Sequence, residues 1–322
     1  MTSDENTSVS SVPADAGSPD RKELFSFVPY RAWAAEEIAY SEYSYWKSAW
    51  QNFLKRKTAV FMSCVFIVLF LFTFIAGPIG HFRYDEVRPD KTEIFIQPNS
   101  KYWFGTDNLG RDYWCQVWYA TQTSIKLSIL VAGGELLLGL VIGLIWGYVR
   151  SLDRFFTELY NVLTNVPTMI YLTLIALLIG QSFVTLCGAL ILFGWMGTAR
   201  QVRNLVLIYR DREYNLASRC LGTPMGRILY RNILPYLTSV VIMRLALSIP
   251  MAISYETTLS YLGLGLGIDT PSLGILLRNA RGYFLDFPYL LYFPAGIVSL
   301  ITVTFYLVGN AFSDACDPRN HV

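Results

Sequence analysis

Histidine is almost missing: His81 and His321 are the only two among 322 residues, too few for a histidine-rich metal centre. The five cysteines, at 64, 115, 187, 220 and 316, contain no CxxC pair. Their odd number and wide spacing argue against a disulfide framework. Charge is also scarce, at 16% of residues, where a soluble domain carries roughly 25%. The formal balance is only +2, without the strong basic excess of a nucleic-acid binder. No GxxxxGK[ST] run is present, so the chain is not expected to bind ATP. HExxH and GxSxG are absent too, and no nucleophile–base arrangement is evident. Residues 1–20 have neither a basic residue nor an apolar core, so no cleavable leader is expected there.

Long uncharged runs are abundant. Hydrophobic residues make up 53% of the chain, and no charge interrupts 58–80, 159–199 or 287–313. A membrane span needs about 20 mostly apolar residues, so the 159–199 run can supply two. These runs exclude a soluble enzyme and predict an all-α, polytopic membrane protein with six spans. They are expected near 58–77, 124–147, 157–179, 183–198, 236–254 and 289–311, within a membrane domain covering 58–318. Gly139, Gly143 and Gly147 recur every four residues in the second span, a smooth strip for close helix approach. Pro167 predicts a kink or break in the third.

The flanks have distinct characters. Residues 1–23 form an expected disordered tail, since 1–20 hold four acids and no base. Residues 24–57 are aromatic and end in Lys55-Arg56-Lys57. Trp46, Trp50 and Phe53 share a helical spacing that suits either an interfacial helix or packing on the protein body. Basic residues gather on one side of the spans: at 55–57, at Arg150 and Arg154, and at seven arginines between 199 and 235. The positive-inside rule then puts both termini and the 199–235 link in the cytoplasm, with 81–123 and 255–288 outside.

The 199–235 link holds two predicted short helices. The first covers 209–221 and stops at Gly222, a natural helix terminator. Thr223-Pro224 reads as an N-cap and first-turn proline for the second, which ends at Leu234-Pro235. The link is either a plain loop or a docking knob.

Here the residues resemble a known family. Tyr214-Asn215-Leu216-Ala217-Ser218-Arg219-Cys220-Leu221-Gly222, followed by Ile233-Leu234-Pro235, is similar to the EAA loop of the membrane subunits of ATP-binding-cassette importers. Gly222, Leu234 and Pro235 match in spacing. The Glu-Ala-Ala triplet falls on Leu216, Ala217 and Ser218, so leucine replaces its glutamate, and Glu213 is an acid three residues earlier. The stretch from Trp103 through Gly105, Asp107, Gly110 and Arg111 to Asp112 looks like a signature of oligopeptide and dipeptide permease C-type subunits. So do Glu256 through Gly263 and Gly265, the 270–274 stretch, and Ala315-Cys316-Asp317-Pro318. The resemblance covers roughly 45–318.

It implies the type I importer permease fold, with cytoplasmic coupling helices, in a bacterial cytoplasmic membrane. The implied function is that of a pore-forming, non-enzymatic subunit of a peptide importer. The implied partners are a homologous second permease subunit, two ATPase subunits that use ATP and Mg, an extracytoplasmic peptide-binding protein and the lipid bilayer, but no nucleic acid. Glu213, Tyr214, Leu216, Ala217, Ser218, Gly222, Leu234 and Pro235 would then couple to the ATPase. Gly105, Asp107, Gly110, Arg111, Asp112, Glu256, Gly263 and Gly265 would shape the outer loops and gate, where Asp107 and Arg111 could pair across a turn.

Among the charges inside the expected spans, Glu135 lies deep in the second and Arg244 deep in the fifth. Intramembrane charges usually face a partner or a cavity. An intramembrane Glu135–Arg244 pair is one expectation, and snorkelling of Glu135, Arg244 and Lys126 to the interfaces is the other. Rival functions are an importer for nickel or another small solute, an ion-coupled carrier and an intramembrane enzyme. The scarcity of histidine disfavours a histidine-lined metal path, and no inverted repeat supports a carrier.

Overall fold

The computed structural model describes residues 45–79, 93–267 and 270–316. The tail at 1–23, the aromatic run up to 44, part of the 81–123 loop, and Asp317-Pro318 lie outside the described residues. The described structure is all-α. Five of its helices are long and apolar enough to cross a membrane, and a bent pair can supply a sixth crossing.

Helix α1 (Tyr45–Lys55) precedes α2 (Lys57–Ile79). Phe53 is buried, its ring 5.4 Å from Phe312, and Arg56 meets Asp314 at 2.6 Å. Phe53 thus packs on the protein body, whereas Trp50 on the same stripe stays exposed. Helix α3 (Tyr113–Tyr148) begins well before the expected 124. Asp112 caps it by accepting from the Trp114 backbone N–H at 3.0 Å. Cys115, Val117 and Ala120 are buried, so these uncharged residues continue the helix that their polar neighbours disguised.

The third span is broken. Helix α4 (Arg150–Thr164) and α5 (Thr168–Ile179) meet at 77°, with Pro167 at the break. The Tyr171 hydroxyl donates to the Leu163 carbonyl at 2.9 Å across it. Helix α6 (Phe183–Arg210) extends past the expected end at 198. Its polar half stays helical because Val202, Leu205, Val206 and Tyr209 pack against Ile228, Leu229, Ile233 and Leu237.

Helices α3 and α6 form the tightest seam described here. A Cβ added at Gly139 would lie 2.6 Å from Thr198 Cβ, and one at Gly143 2.6 Å from the Ala199 carbonyl oxygen. At Gly147 it would lie 2.7 Å from Val206 Cβ. The four-residue glycine spacing thus lets backbone approach backbone.

After α6 come α7 (Glu213–Cys220), the single turn α8 (Met225–Arg227) and a π-helical turn (Ile228–Ile233). The turn runs directly into α9 (Leu234–Leu262). The second short helix therefore does not end at Leu234-Pro235 but fuses with the fifth span. Pro235 has no N–H to donate, and the Leu234 N–H reaches back to Leu229, so a wider turn absorbs the misfit. Helix α9 also extends eight residues past the expected 254, which shortens the loop before α10 (Leu273–Ala280) and α11 (Tyr289–Ala315). Gly309 of α11 lies against Ala246 of α9, with no room for a Cβ between them.

Candidate functional site

Three neighbourhoods gather the residues singled out above. At one end of the bundle, Gly222 adopts φ +75°. The Thr223 N–H bonds to Ser218 at 3.0 Å and the Gly222 N–H to Arg219 at 2.9 Å, a Schellman stop to α7. Glu213, Tyr214, Leu216 and Ala217 are exposed on this short helix, and Leu221 is 85% exposed. Ser218 donates to the Tyr214 carbonyl at 2.8 Å. Leu234 and Pro235 sit apart from this face, in the first turn of α9.

What holds α7 in place escaped the sequence reading. Asn215 is fully buried; its amide donates to the Tyr209 carbonyl at 2.8 Å and its oxygen accepts from Asn232 at 2.9 Å. Asn232 also reaches Ser218 at 3.3 Å. One polar cluster thus joins the end of α6, helix α7 and the π-helical turn. The signal was two asparagines flanking Gly222, but only the fold brings them together.

Asp211 forms a second brace, with Arg210 at 3.2 Å, Arg150 at 3.4 Å and Arg219 at 3.7 Å. Partial desolvation pushes its carboxyl up. The Arg210 hydrogen bond and the charges of Arg210, Arg150 and Arg219 outweigh that and hold it below its ordinary value. A lowered carboxylate pKa stabilises the fold above the unfolded value of about 3.9. The contribution disappears as pH falls through the lower folded value. Asp211→Asn should therefore speed hydrogen exchange of the α7 amides at neutral pH, by roughly two- to fivefold for so exposed a cluster. The difference from wild type should close once acid protonates the native carboxyl. A gap that persisted there would assign the effect to something other than charge.

At the opposite end, the 93–112 loop folds around Asp107. Its carboxylate accepts from the Leu109 N–H at 2.9 Å, the Arg111 N–H at 2.8 Å and the Gln116 amide at 2.8 Å. Arg111 also pairs with it at 2.7 Å. Gly105 and Gly110 take positive φ, at +79° and +72°, and Asp112 is the cap of α3. Tyr289 donates to the Thr106 carbonyl at 2.7 Å, tying the loop to α11.

Glu256 sits inside α9 rather than in a loop, because the helix continues beyond 254. It is fully buried and accepts from Ser260 at 2.8 Å and Ser124 at 3.1 Å. Ser124 in turn accepts from the Leu273 N–H at 3.3 Å, and Ser260 from the Leu266 N–H at 3.2 Å. One carboxyl and two serines thus join α3, α9, α10 and the loop between the last two. Gly263, at φ +84°, ends α9 in a second Schellman stop. Gly265 lies too close to Ser260 to carry a side chain.

Between the two ends, a cavity of about 730 Å³ opens among α3, α4, α5, α6, α9 and α11. Both Glu135 and Arg244 line it, but no ion pair joins them. Arg244 Nε donates to the Gln201 side-chain oxygen, and Ser248 lines the same cavity as Glu135. Snorkelling does not describe them either, since both face the cavity. The charges share a space without sharing a bond. Arg244, Ser248, Met251 and Tyr255 form the α9 wall at helical spacing.

Comparison with known proteins agrees with this architecture. Residues 139–322 match the family described as binding-protein-dependent transport system inner membrane component. Residues 44–98 match the N-terminal TM domain of oligopeptide transport permease C. The oligopeptide transport system permease protein AmiD of Streptococcus pneumoniae is 38% identical over 302 residues, covering 93% of this chain and 98% of that one. The dipeptide transport system permease protein DppC of Bacillus subtilis is 34% identical over 289 residues, covering 88% and 89%. The oligopeptide transport system permease protein OppC of the same organism is 31% identical over 299 residues, covering 92% and 97%. This chain belongs to the binding-protein-dependent transport permeases, as a C-type subunit of the oligopeptide and dipeptide group.

Proposed function

We propose that this chain forms half of the translocation path of an ATP-driven peptide importer in a bacterial cytoplasmic membrane. Its partners are a homologous second permease subunit, two cytoplasmic ATPase subunits that use ATP and Mg, and an extracytoplasmic peptide-binding protein. The basic flanks of the spans support cytoplasmic termini. The single observation that carries the reading is the fusion of the α7–α8 loop to α9, the helix that lines the cavity.

In this mechanism the ATPase presses on the face of Tyr214, Leu216, Ala217 and Leu221. Asn215 and Asp211 keep that face from folding away under load. Displacement then passes along α9 to the cavity wall. The missing motif glutamate fits this scheme, since Leu216 and Leu221 offer apolar contacts to a groove. At the other end, the Asp107 loop and the Glu256 cluster hold the entrance as one unit.

The test is reconstitution of the complex from its native membrane, with uptake of a labelled tripeptide. Uptake should need ATP and the binding protein. Leu221→Asp should reduce it by about tenfold or more, the scale of one buried interface contact, with the chain still present at normal abundance. Recovery of the chain alone, driving uptake from an ion gradient without ATP, would overturn the reading.

A further inference from the structure

The cavity contains two opposite charges that no contact ion pair joins. Glu135 on α3 and Arg244 on α9 face the same space and feel each other's charge across it, but no salt bridge links them, and Arg244 donates to the neutral Gln201 side chain. A charge at membrane depth is expensive unless something compensates it. A single amide oxygen from Gln201 satisfies one of the five N–H donors of a guanidinium. The arrangement is also maintained by an absence. Gly194 of α6 lies directly under the Glu135 carboxylate, and any side chain there would displace it. Gly197, one turn on, faces open space and widens the same floor.

The pair of signs narrows the ligand. A metal cation would meet Arg244, and a simple anion would meet Glu135. A zwitterion with its charges at opposite ends complements both. We propose that Glu135 receives the α-ammonium and Arg244 the α-carboxylate of a short peptide in transit. This rests on the importer reading above and names the part of the cargo that the membrane subunit recognises.

The walls suit the rest of such a cargo. Tyr171 and Phe193 stack at 4.5 Å, and Tyr160 lies beneath the Arg200 guanidinium at 4.3 Å. Flat aromatic surfaces accept apolar, polar or cationic side chains with little discrimination. A volume of about 730 Å³ lies within the range of small-molecule sites. Fixed charges at the peptide ends replace the water that those ends must shed, whatever the side chains are.

The binding protein also handles peptide ends, so the measurement must isolate the membrane step. The whole complex is reconstituted in liposomes. Uptake is measured with the binding protein saturated in turn by trialanine, N-acetyl-trialanine and trialanine amide. The wild-type complex should carry the free peptide about tenfold faster than either blocked form, the scale of one charge-assisted contact. Glu135→Gln should bring the free-to-acetyl ratio to within about twofold and leave the free-to-amide ratio standing. Arg244→Gln should do the converse.

The ratios are internal to each variant, so reduced abundance does not disturb them. If Glu135→Gln does not assemble, Gly194→Ala displaces the same carboxylate and provides the same readout. A narrowed acetyl ratio supports the proposal and an unchanged one overturns it. Equal losses for all three peptides would place the charges at the interface with the second permease subunit and overturn the proposal. So would a wild-type complex indifferent to end blocking. If the wild-type complex shows no ATP-driven uptake of any peptide, the importer reading fails instead.

Discussion

Gly143→Leu should leave almost no folded chain in the membrane. The Cβ alone would come within 2.6 Å of the Ala199 carbonyl oxygen and 2.7 Å of Val202 Cβ. Both belong to a helix whose buried face includes Ala199, Val202 and Val206, so neither can retreat without moving α6. Overpacking a core costs about 1–3 kcal/mol or more, against a total stability on the order of 5–15 kcal/mol. Four added carbons in the middle of the closest seam exceed what that margin tolerates. Gly143→Ala should already lower the melting temperature in detergent by several degrees. Combined with Gly139→Ala it should lose less than the sum, because both push the same helices apart. Gly188→Ala is the matched control: its added carbon meets nothing within 4 Å. Thermal melting followed by size-exclusion chromatography distinguishes these outcomes. Equal melting temperatures for Gly143→Ala and Gly188→Ala would show that the seam is loose.

Asn215→Leu should have the second large effect, on transport rather than on abundance. The substitution removes both hydrogen bonds of a fully buried amide, leaving the Tyr209 carbonyl only its backbone donor from Arg212 and the Asn232 amide only its longer contact to Ser218. Each hydrogen bond lost contributes about 0.5–1.5 kcal/mol. The loss falls on the loop and the apolar cluster beneath it, because the rest of the membrane helices pack through two other apolar clusters. Insertion and melting of the bundle should stay near wild type, while ATP-driven uptake falls by about tenfold or more. Asn232→Leu should give a similar loss. The double variant should be little worse than either single one, since both break one network. Additive losses would mean that the two asparagines act separately.

The spans were legible because uncharged runs of this length have one stable use. Their ends were not. Helix α3 starts at Tyr113 because Asp112 caps it, a local cue hidden among polar neighbours. Helix α6 reaches Arg210 because an apolar stripe continues under its arginines. The glycine strip, the Gly222 stop and the Asp107–Arg111 pair were readable, since each depends on residues a few positions apart. The π-helical turn was not: it follows from Pro235 combined with the burial of Ile228, Leu229 and Ile233. Nor could sequence tell that Glu135 and Arg244 share a cavity without bonding, since Gln201 and Gly194 decide that from a third helix.

The unbroken course of the chain from Met225 to Leu262 has a mechanical consequence. These 38 residues are continuously helical, through the π-helical turn at Ile228–Ile233 and past Pro250. A close contact with α11, Ala246 against Gly309, falls near the midpoint of this stretch. A helix that turns about such a point moves its two ends in opposite directions: tilting one inward swings the other outward. The α7 loop rides on one arm and the Glu256 cluster on the other. Opening one mouth and shutting its opposite would then be a single rotation, without two gates that must be kept in time.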